Sequence, residues 1–245
     1  MTDIAGSAVL ITGGNRGIGR ALVEEALRRD AARVYVGTRV PLGHPDERVT
    51  PLTLDVTDAD QLRRAAEEVA SHGVLDVLVN NAGIALYDDL DDRSILERHL
   101  AVNLFGTYDV TRAFLPLLLR SRGAIVNNLS VNGLAPLPLI PAYSVSKAAA
   151  FSLTQSLRAL LAGRGVSVHA VLTGPVDTDM TRGIDVPKAS AESVAWAVFD
   201  GVEKDEEDIF PDPLAESLAE GWRGGVVKAL ELQLAELSVA QRAKS

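Results

Sequence analysis

The chain is 245 residues long and 47% hydrophobic, enough for one sizeable core and requiring no second domain. Its 24 Lys and Arg against 33 Asp and Glu give a net charge of −9, which argues against nucleic acid or an anionic membrane surface as the main partner. With no cysteine, disulfides, thiolate metal sites and cysteine nucleophiles are excluded, and the four histidines (His44, His72, His99 and His169) are too scattered to suggest a metal site.

Residues 1–7 lack the basic and apolar regions of a signal peptide, and no apolar run reaches the roughly 18 residues of a membrane span. The expectation is a soluble, cytoplasmic chain forming one domain over residues 1–245, with 214–245 as a C-terminal helical tail.

The apolar run 8–11 leads directly into Thr12-Gly13-Gly14-Asn15-Arg16-Gly17-Ile18-Gly19, after which Ile18, Leu22 and Ala26 recur at helical spacing. That reads as strand, glycine turn, helix. Glycines there let the backbone approach a pyrophosphate, whose charge a helix N-terminus favours. Residues 33–37 read as a second strand ending at Thr38-Arg39, where a dinucleotide fold places an acid for a ribose 2′-hydroxyl or an arginine for a 2′-phosphate; this chain has the arginine. Residues 40–48 hold two prolines and a glycine and read as a loop in place of a crossover helix. Residues 49–54 form a third strand, which Pro51 assigns to a sheet edge, and Asp55-Val56 ends it.

Thr57 and Asp60 resemble a capping box for a helix carrying Leu62, Ala66 and Val69 and stopped by Gly73. Residues 74–79 are a fourth strand delivering Asn80-Asn81-Ala82-Gly83. Residues 94–119 read as one long apolar helix with Pro116 as a kink. Asn103 lies in it among Leu100, Val102, Leu104 and Phe105, as either a structural hydrogen-bond hub or a site residue. Residues 124–129 are a fifth strand with Ser130 at its carboxyl end, where open α/β sheets bind ligands.

Pro141 then opens a long helix through Leu161, with Tyr143 and Lys147 four residues apart on one face. A lysine ammonium beside a tyrosine favours the phenolate and brings its pKa toward the working range. Residues 166–172 are a sixth strand leading into Thr173-Gly174-Pro175-Val176-Asp177-Thr178; residues 191–202 are a helix and 208–210 a short last strand. In the tail, Val227, Leu230, Leu234 and Leu237 form a stripe expected to pack on the body or on a partner subunit, with a membrane-surface helix as the weaker reading. The alternation of strand and helix predicts a doubly wound α/β fold, a mostly parallel seven-stranded sheet with helices on both faces.

In order and spacing, residues 7–210 resemble the short-chain dehydrogenase/reductase family, through the glycine turn 12–19, Asp55-Val56, Asn80-Asn81-Ala82-Gly83, Asn103, Ser130 and Tyr143/Lys147. The resemblance implies a Rossmann-like fold and an oxidoreductase of the carbonyl reductase kind. It implies that Gly13, Asn15, Arg16 and Ile18 contact the cofactor's phosphates and adenosine side, while Gly17 and Gly19 permit the turn. Asp55 and Val56 would hold the adenine edge, and Asn81, Ala82 and Gly83 would run under its ribose toward the nicotinamide. Val102 would touch the nicotinamide ribose, Val176 the carboxamide, with Gly174 and Thr178 matching the motif after the sixth strand. Thr38 stands where NAD-preferring relatives usually have an aspartate, and Arg16 and Arg39 stand where NADP-preferring ones have basic residues, so the resemblance implies NADP(H).

In the family's chemistry the substrate oxygen sits between Ser130 and Tyr143. Tyr143 gives the proton, Ser130 stabilises the alkoxide, Lys147 lowers the tyrosine pKa and holds the ribose, and Asn103 positions a water. The implied reaction is hydride transfer between NADP(H) and a hydrophobic ketone, aldehyde or secondary alcohol, by a homodimer or homotetramer. Two rivals are weaker. A catalytically silent dinucleotide-sensing module would lose the Tyr/Lys pair. A lyase of the halohydrin dehalogenase type has arginine at the lysine position and no intact glycine turn. The chain departs from the family in having Thr173 for the usual proline, and in Asn128 and Asn132 beside Ser130. Asn128 is expected to satisfy a loop backbone; Asn132 is open between that and a substrate contact. Residues 134–140, Met180 and Tyr87 suggest an apolar pocket wall.

Overall fold

The computed structural model describes residues 2–41 and 43–242. Its seven strands form one sheet in the order β3-β2-β1-β4-β5-β6-β7, with every neighbouring pair parallel. They are β1 (Ala8–Thr12), β2 (Arg33–Thr38), β3 (Val49–Thr53), β4 (Val77–Asn80), β5 (Ala124–Asn128), β6 (Ser167–Val171) and β7 (Asp208–Ile209). Alternate residues of each strand feed opposite core layers. Val9, Ile11, Val77, Val79 and Val126 pack under α1 (Gly17–Arg28) and α6 (Ala191–Glu203) with Leu22, Val23, Val198 and Phe199. Leu10, Leu78 and Ile125 face α2 (Ala59–Ser71), α4 (Thr107–Ser121) and α5 (Pro141–Leu161), meeting Leu62, Val69, Phe114 and Leu157. Burying both faces explains why the strands read as continuous apolar runs.

The order turns back between β1 and β4, so the loops after these strands diverge to opposite faces and leave a crevice at their carboxyl ends. β3 is the sheet edge, as Pro51 implies, and among the described residues no helix joins β2 to β3.

Three local expectations change. α2 is capped by Asp58, whose carboxylate accepts from the Asp60 and Gln61 N–H groups, while Thr57 turns its hydroxyl to Asp55. β4 begins at Val77 because the preceding residue, Asp76, is drawn to the Ala8 N–H at 2.8 Å. The predicted helix 94–119 is α3 (Arg93–His99), a π-helical segment (Leu100–Gly106) and then α4, so the irregularity lies around Asn103. π-segments commonly mark functional positions.

The tail forms α7 (Pro213–Arg223) and α8 (Val226–Arg242). Val227, Leu230 and Leu234 are exposed, so the apolar stripe does not pack on the body; the side chain of Leu237 lies outside the described residues. The charged face packs inward instead. Lys228 Nζ reaches Asp208 at 2.8 Å and Glu231 at 3.1 Å, Arg158 of α5 reaches Asp208 at 2.9 Å, and Trp222 donates to Asp208 at 2.8 Å. Among the described residues no helix is long and apolar enough to cross a membrane.

Candidate active site

The glycine turn joins β1 to α1 at the edge of the crevice. Gly13 (φ +69°) and Gly17 (φ +51°) occupy the left-handed region that glycine tolerates. A Cβ on Gly13 would lie 3.0 Å from Ala82 Cα, and one on Gly19 would lie 2.2 Å from Gly13 O. Arg16 occupies the N-cap of α1 in extended conformation and makes no side-chain cap, which leaves the first-turn N–H groups open to an anion. Asn15 is exposed beside it and Ile18 is half-buried against the core. Arg16 and Asp179 form an exposed ion pair at 3.6 Å.

At the end of β2, Thr38 is buried and its hydroxyl donates to Val40 O at 2.9 Å. Arg39 is exposed and has no ion pair among the described residues. Asp55 accepts from the Thr57 N–H at 2.9 Å, and Val56 packs against Gly106 of the π-segment.

The proton-transfer residues converge one strand further on. Ser130 caps a short turn after β5, its Oγ accepting the Asn132 N–H at 3.1 Å, and its side chain lies near enough to the Tyr143 phenol to act on its pKa. Tyr143 and Lys147 project from the first turns of α5 and are both buried. Burial pushes the Tyr143 phenol up to about 12, with the nearby Ser130 side chain acting in the opposite direction. Burial also holds Lys147 down to about 8. The Lys147 ammonium sits 5.6 Å from the Tyr143 ring centroid and donates to Asn128 O at 2.7 Å. Aimed at that carbonyl, it does not produce the lowered phenol that the sequence leads one to expect.

Asn103 is a hub. Its Oδ1 accepts the Ile84 N–H and its Nδ2 donates to Ile84 O and Ser146 Oγ, each at 2.9 Å. Gly83 passes between Asn103 and Lys147, where a Cβ would lie 3.2 Å from Asn103 Oδ1 and 3.8 Å from Lys147 Nζ. Val102 is half-buried on the same segment. Past β6, Val176 is buried, and the Thr178 methyl lies 3.1 Å from where a Gly17 Cβ would stand, so this loop folds back onto the glycine turn. Gly174 donates its N–H to the buried carboxylate of Asp212 at 2.6 Å.

Asn128 does not satisfy a loop backbone: its amide bonds the side chains of Asn81 and Thr173, at 2.9 and 2.8 Å. The Asn132 side chain makes no hydrogen bond among the described residues. Sequence reasoning missed His99, which accepts the Leu86 N–H; Asp88, which accepts the Ala142 N–H at 3.3 Å; and Asp212. For His99 a signal existed, since it precedes Asn103 by four residues and shares its helix face. For the two aspartates none did, because their partners are 54 and 38 residues away.

Residues 7–188 match the family model described as short chain dehydrogenase. The chain is 35% identical over 194 residues to mouse estradiol 17-beta-dehydrogenase 2, which covers 73% of this chain but only 50% of that protein. It is 34% identical over 210 residues to an uncharacterized oxidoreductase of Staphylococcus epidermidis, covering 81% of this chain and 91% of the relative. Among solved structures, a short chain dehydrogenase from Burkholderia cenocepacia in complex with NADP is 34% identical with a TM-score of 0.85, over 95% of this chain and 98% of that one. The order of the motifs, the parallel sheet and these similarities agree, and the chain belongs to the short-chain dehydrogenase/reductase family of oxidoreductases.

Proposed function

We propose that the chain is an NADP(H)-dependent oxidoreductase acting on a hydrophobic ketone, aldehyde or secondary alcohol, with Tyr143 as general acid and base. The observation that carries this reading is the buried Tyr143 phenol standing beside the Ser130 side chain and Lys147, next to a glycine turn whose helix N-terminus is uncapped. The residues around that turn suit a dinucleotide. Its backbone is closed to side chains at Gly13 and Gly19, and Arg16 and Arg39 both reach solvent. The end of β2 carries no carboxylate to repel a 2′-phosphate, and two guanidinium groups suit its oxygens. The NADP-bound Burkholderia neighbour supports the same choice.

The cofactor, when bound, supplies or accepts the hydride. The rest falls to the chain's own residues. A phenol held near 12 stays protonated at neutral pH, the form that reduction of a carbonyl requires. The Ser130 Oγ is already an acceptor for the Asn132 N–H, which leaves its own hydrogen for an oxyanion. Lys147 places a cation beside the tyrosine ring, and Asn103 holds residue 84 and hence the loop that follows β4.

Leu137, Leu139, Met180 and Tyr87 are exposed, and the first and last are tied to the N-terminal end of α5 through Ser144 and the neighbouring Asp88. This favours an apolar substrate. A panel of aromatic and aliphatic ketones with NADPH tests the reading: oxidation of NADPH by at least one supports it, and silence across the panel with either cofactor contradicts it.

The chain is further proposed to act as a homodimer or homotetramer, because Phe105, Tyr108 and Val145 of the π-segment, α4 and α5 are large apolar residues left exposed. Light scattering at micromolar concentration would report at least twice the 26.0 kDa chain mass; a monomer mass contradicts it.

A further inference from the structure

Thr173 and Asn128, 45 residues apart, meet at the carboxyl ends of β6 and β5. The polarity of the chain of bonds through them is fixed from one end. Asn81 Nδ2 donates to Thr12 O at 2.9 Å and Gly13 O at 3.4 Å, and carbonyls only accept. Asn81 Oδ1 is therefore the atom that faces Asn128, and Asn128 must present its Nδ2, at 2.9 Å. That leaves Asn128 Oδ1 facing Thr173, and a donor there completes the set: the Thr173 hydroxyl, at 2.8 Å. The strut crosses β6, β5, β4 and β1 beneath the crevice.

Two members of the strut, Asn128 and Thr173, touch the machinery. The Asn128 carbonyl is the acceptor of Lys147 Nζ at 2.7 Å. The Thr173 carbonyl accepts the N–H of Val131, next to Ser130, at 3.0 Å. Thr173 is buried, so loss of its hydroxyl would leave Asn128 Oδ1 short of a donor with little water to replace it.

We propose that Thr173 and Asn128 are a coupled pair of positioning residues that, through Asn81, fix Lys147, Ser130 and the loop after β6 in register with the glycine turn. The inference rests on the oxidoreductase reading for its catalytic consequence, but not for the strut itself.

The test uses the full-length chain carrying Thr173→Val, Thr173→Ser, Asn128→Leu and the double variant Thr173→Val/Asn128→Leu. Thr173→Val should lower kcat with NADPH about five- to tenfold while the NADPH dissociation constant, read by tryptophan fluorescence, moves by about twofold or less. Thr173→Ser, which retains the donor, should stay near wild type in both. In the Asn128→Leu background, Thr173→Val should cost nothing further. In the cofactor-free protein, hydrogen exchange at the Val131 amide should quicken in Thr173→Val and not in Thr173→Ser, with thermal unfolding as the control for global loss. Equal behaviour of the valine and serine variants, or the same cost of Thr173→Val with and without Asn128, overturns the pair. A wild-type protein that binds NADPH but turns nothing over would fail the oxidoreductase reading alone, since exchange at Val131 would still decide the strut.

Discussion

His99 Nε2 accepts the Leu86 N–H at 3.0 Å while its ring stands edge-on to Tyr143, the centroids 6.3 Å apart. Its Nδ1 lies 2.8 Å from Ile95 O, and because a carbonyl cannot donate, Nδ1 is the donor of this pair. The loop after β4 is thus held by Asn103 at residue 84, by His99 at residue 86 and by the grip of Asp88 on the first turn of α5. His99→Phe keeps an aromatic edge against Tyr143 and removes the acceptor; His99→Gln keeps an acceptor. Steady-state kinetics should give a KM for the carbonyl substrate about tenfold higher in the phenylalanine variant than in the glutamine variant. Equal KM values would remove His99 from the pocket's support.

Lys147 gives the fold a pH signature. Burial holds its ammonium down to about 8 from an ordinary 10.5, so between those values the unfolded chain carries a proton that the folded chain has released. Stability therefore carries the full cost below about 8 and recovers it as pH rises toward 10.5. Tyr143, pushed up to about 12 from 10.0, acts oppositely, and its contribution is lost above about 10. Urea unfolding at pH about 7.5 and about 9.5 should show wild type gaining on the order of 2 kcal/mol relative to Lys147→Met across that interval. Parallel changes in the two proteins would mean that Lys147 is solvated.

Much of this was legible in the sequence where the signal is local. The strand–glycine–helix pattern at residues 8–26, the Pro141 helix start and the tyrosine–lysine spacing each depend on a few consecutive residues, and the parallel sheet follows from their alternation. The roles of Asn128, Thr173 and Asp212 were not legible, because each takes its meaning from a partner dozens of residues away. Of the two places expected for the α8 stripe, the body is the one the fold does not use, and for a different reason. Periodicity shows that a helix has two unlike faces; the buried carboxylate of Asp208, paired with Lys228 and Arg158, decided which one turned inward.

Arg39 should govern the choice between cofactors. It is exposed beside β2 with no acidic partner among the described residues, whereas Arg16 already shares Asp179. A charge-assisted bond to a phosphate is worth about 1.5–3 kcal/mol, so Arg39→Ala should raise the KM for NADPH roughly ten- to a hundredfold and leave that for NADH nearly unchanged. A wild-type enzyme that uses NADH as efficiently as NADPH would refute the electrostatic reading of both arginines.

On the proposed function the Tyr143 phenol, beside the Ser130 side chain and flanked by Lys147, carries the proton of the reaction. Tyr143→Phe removes one oxygen and leaves the ring against His99 and the glycine turn intact. The decisive measurement is kcat and the NADPH dissociation constant of this variant side by side with wild type. The account predicts a fall in kcat of about a hundredfold or more, with the dissociation constant within about twofold; a variant that retains near wild-type kcat would contradict it.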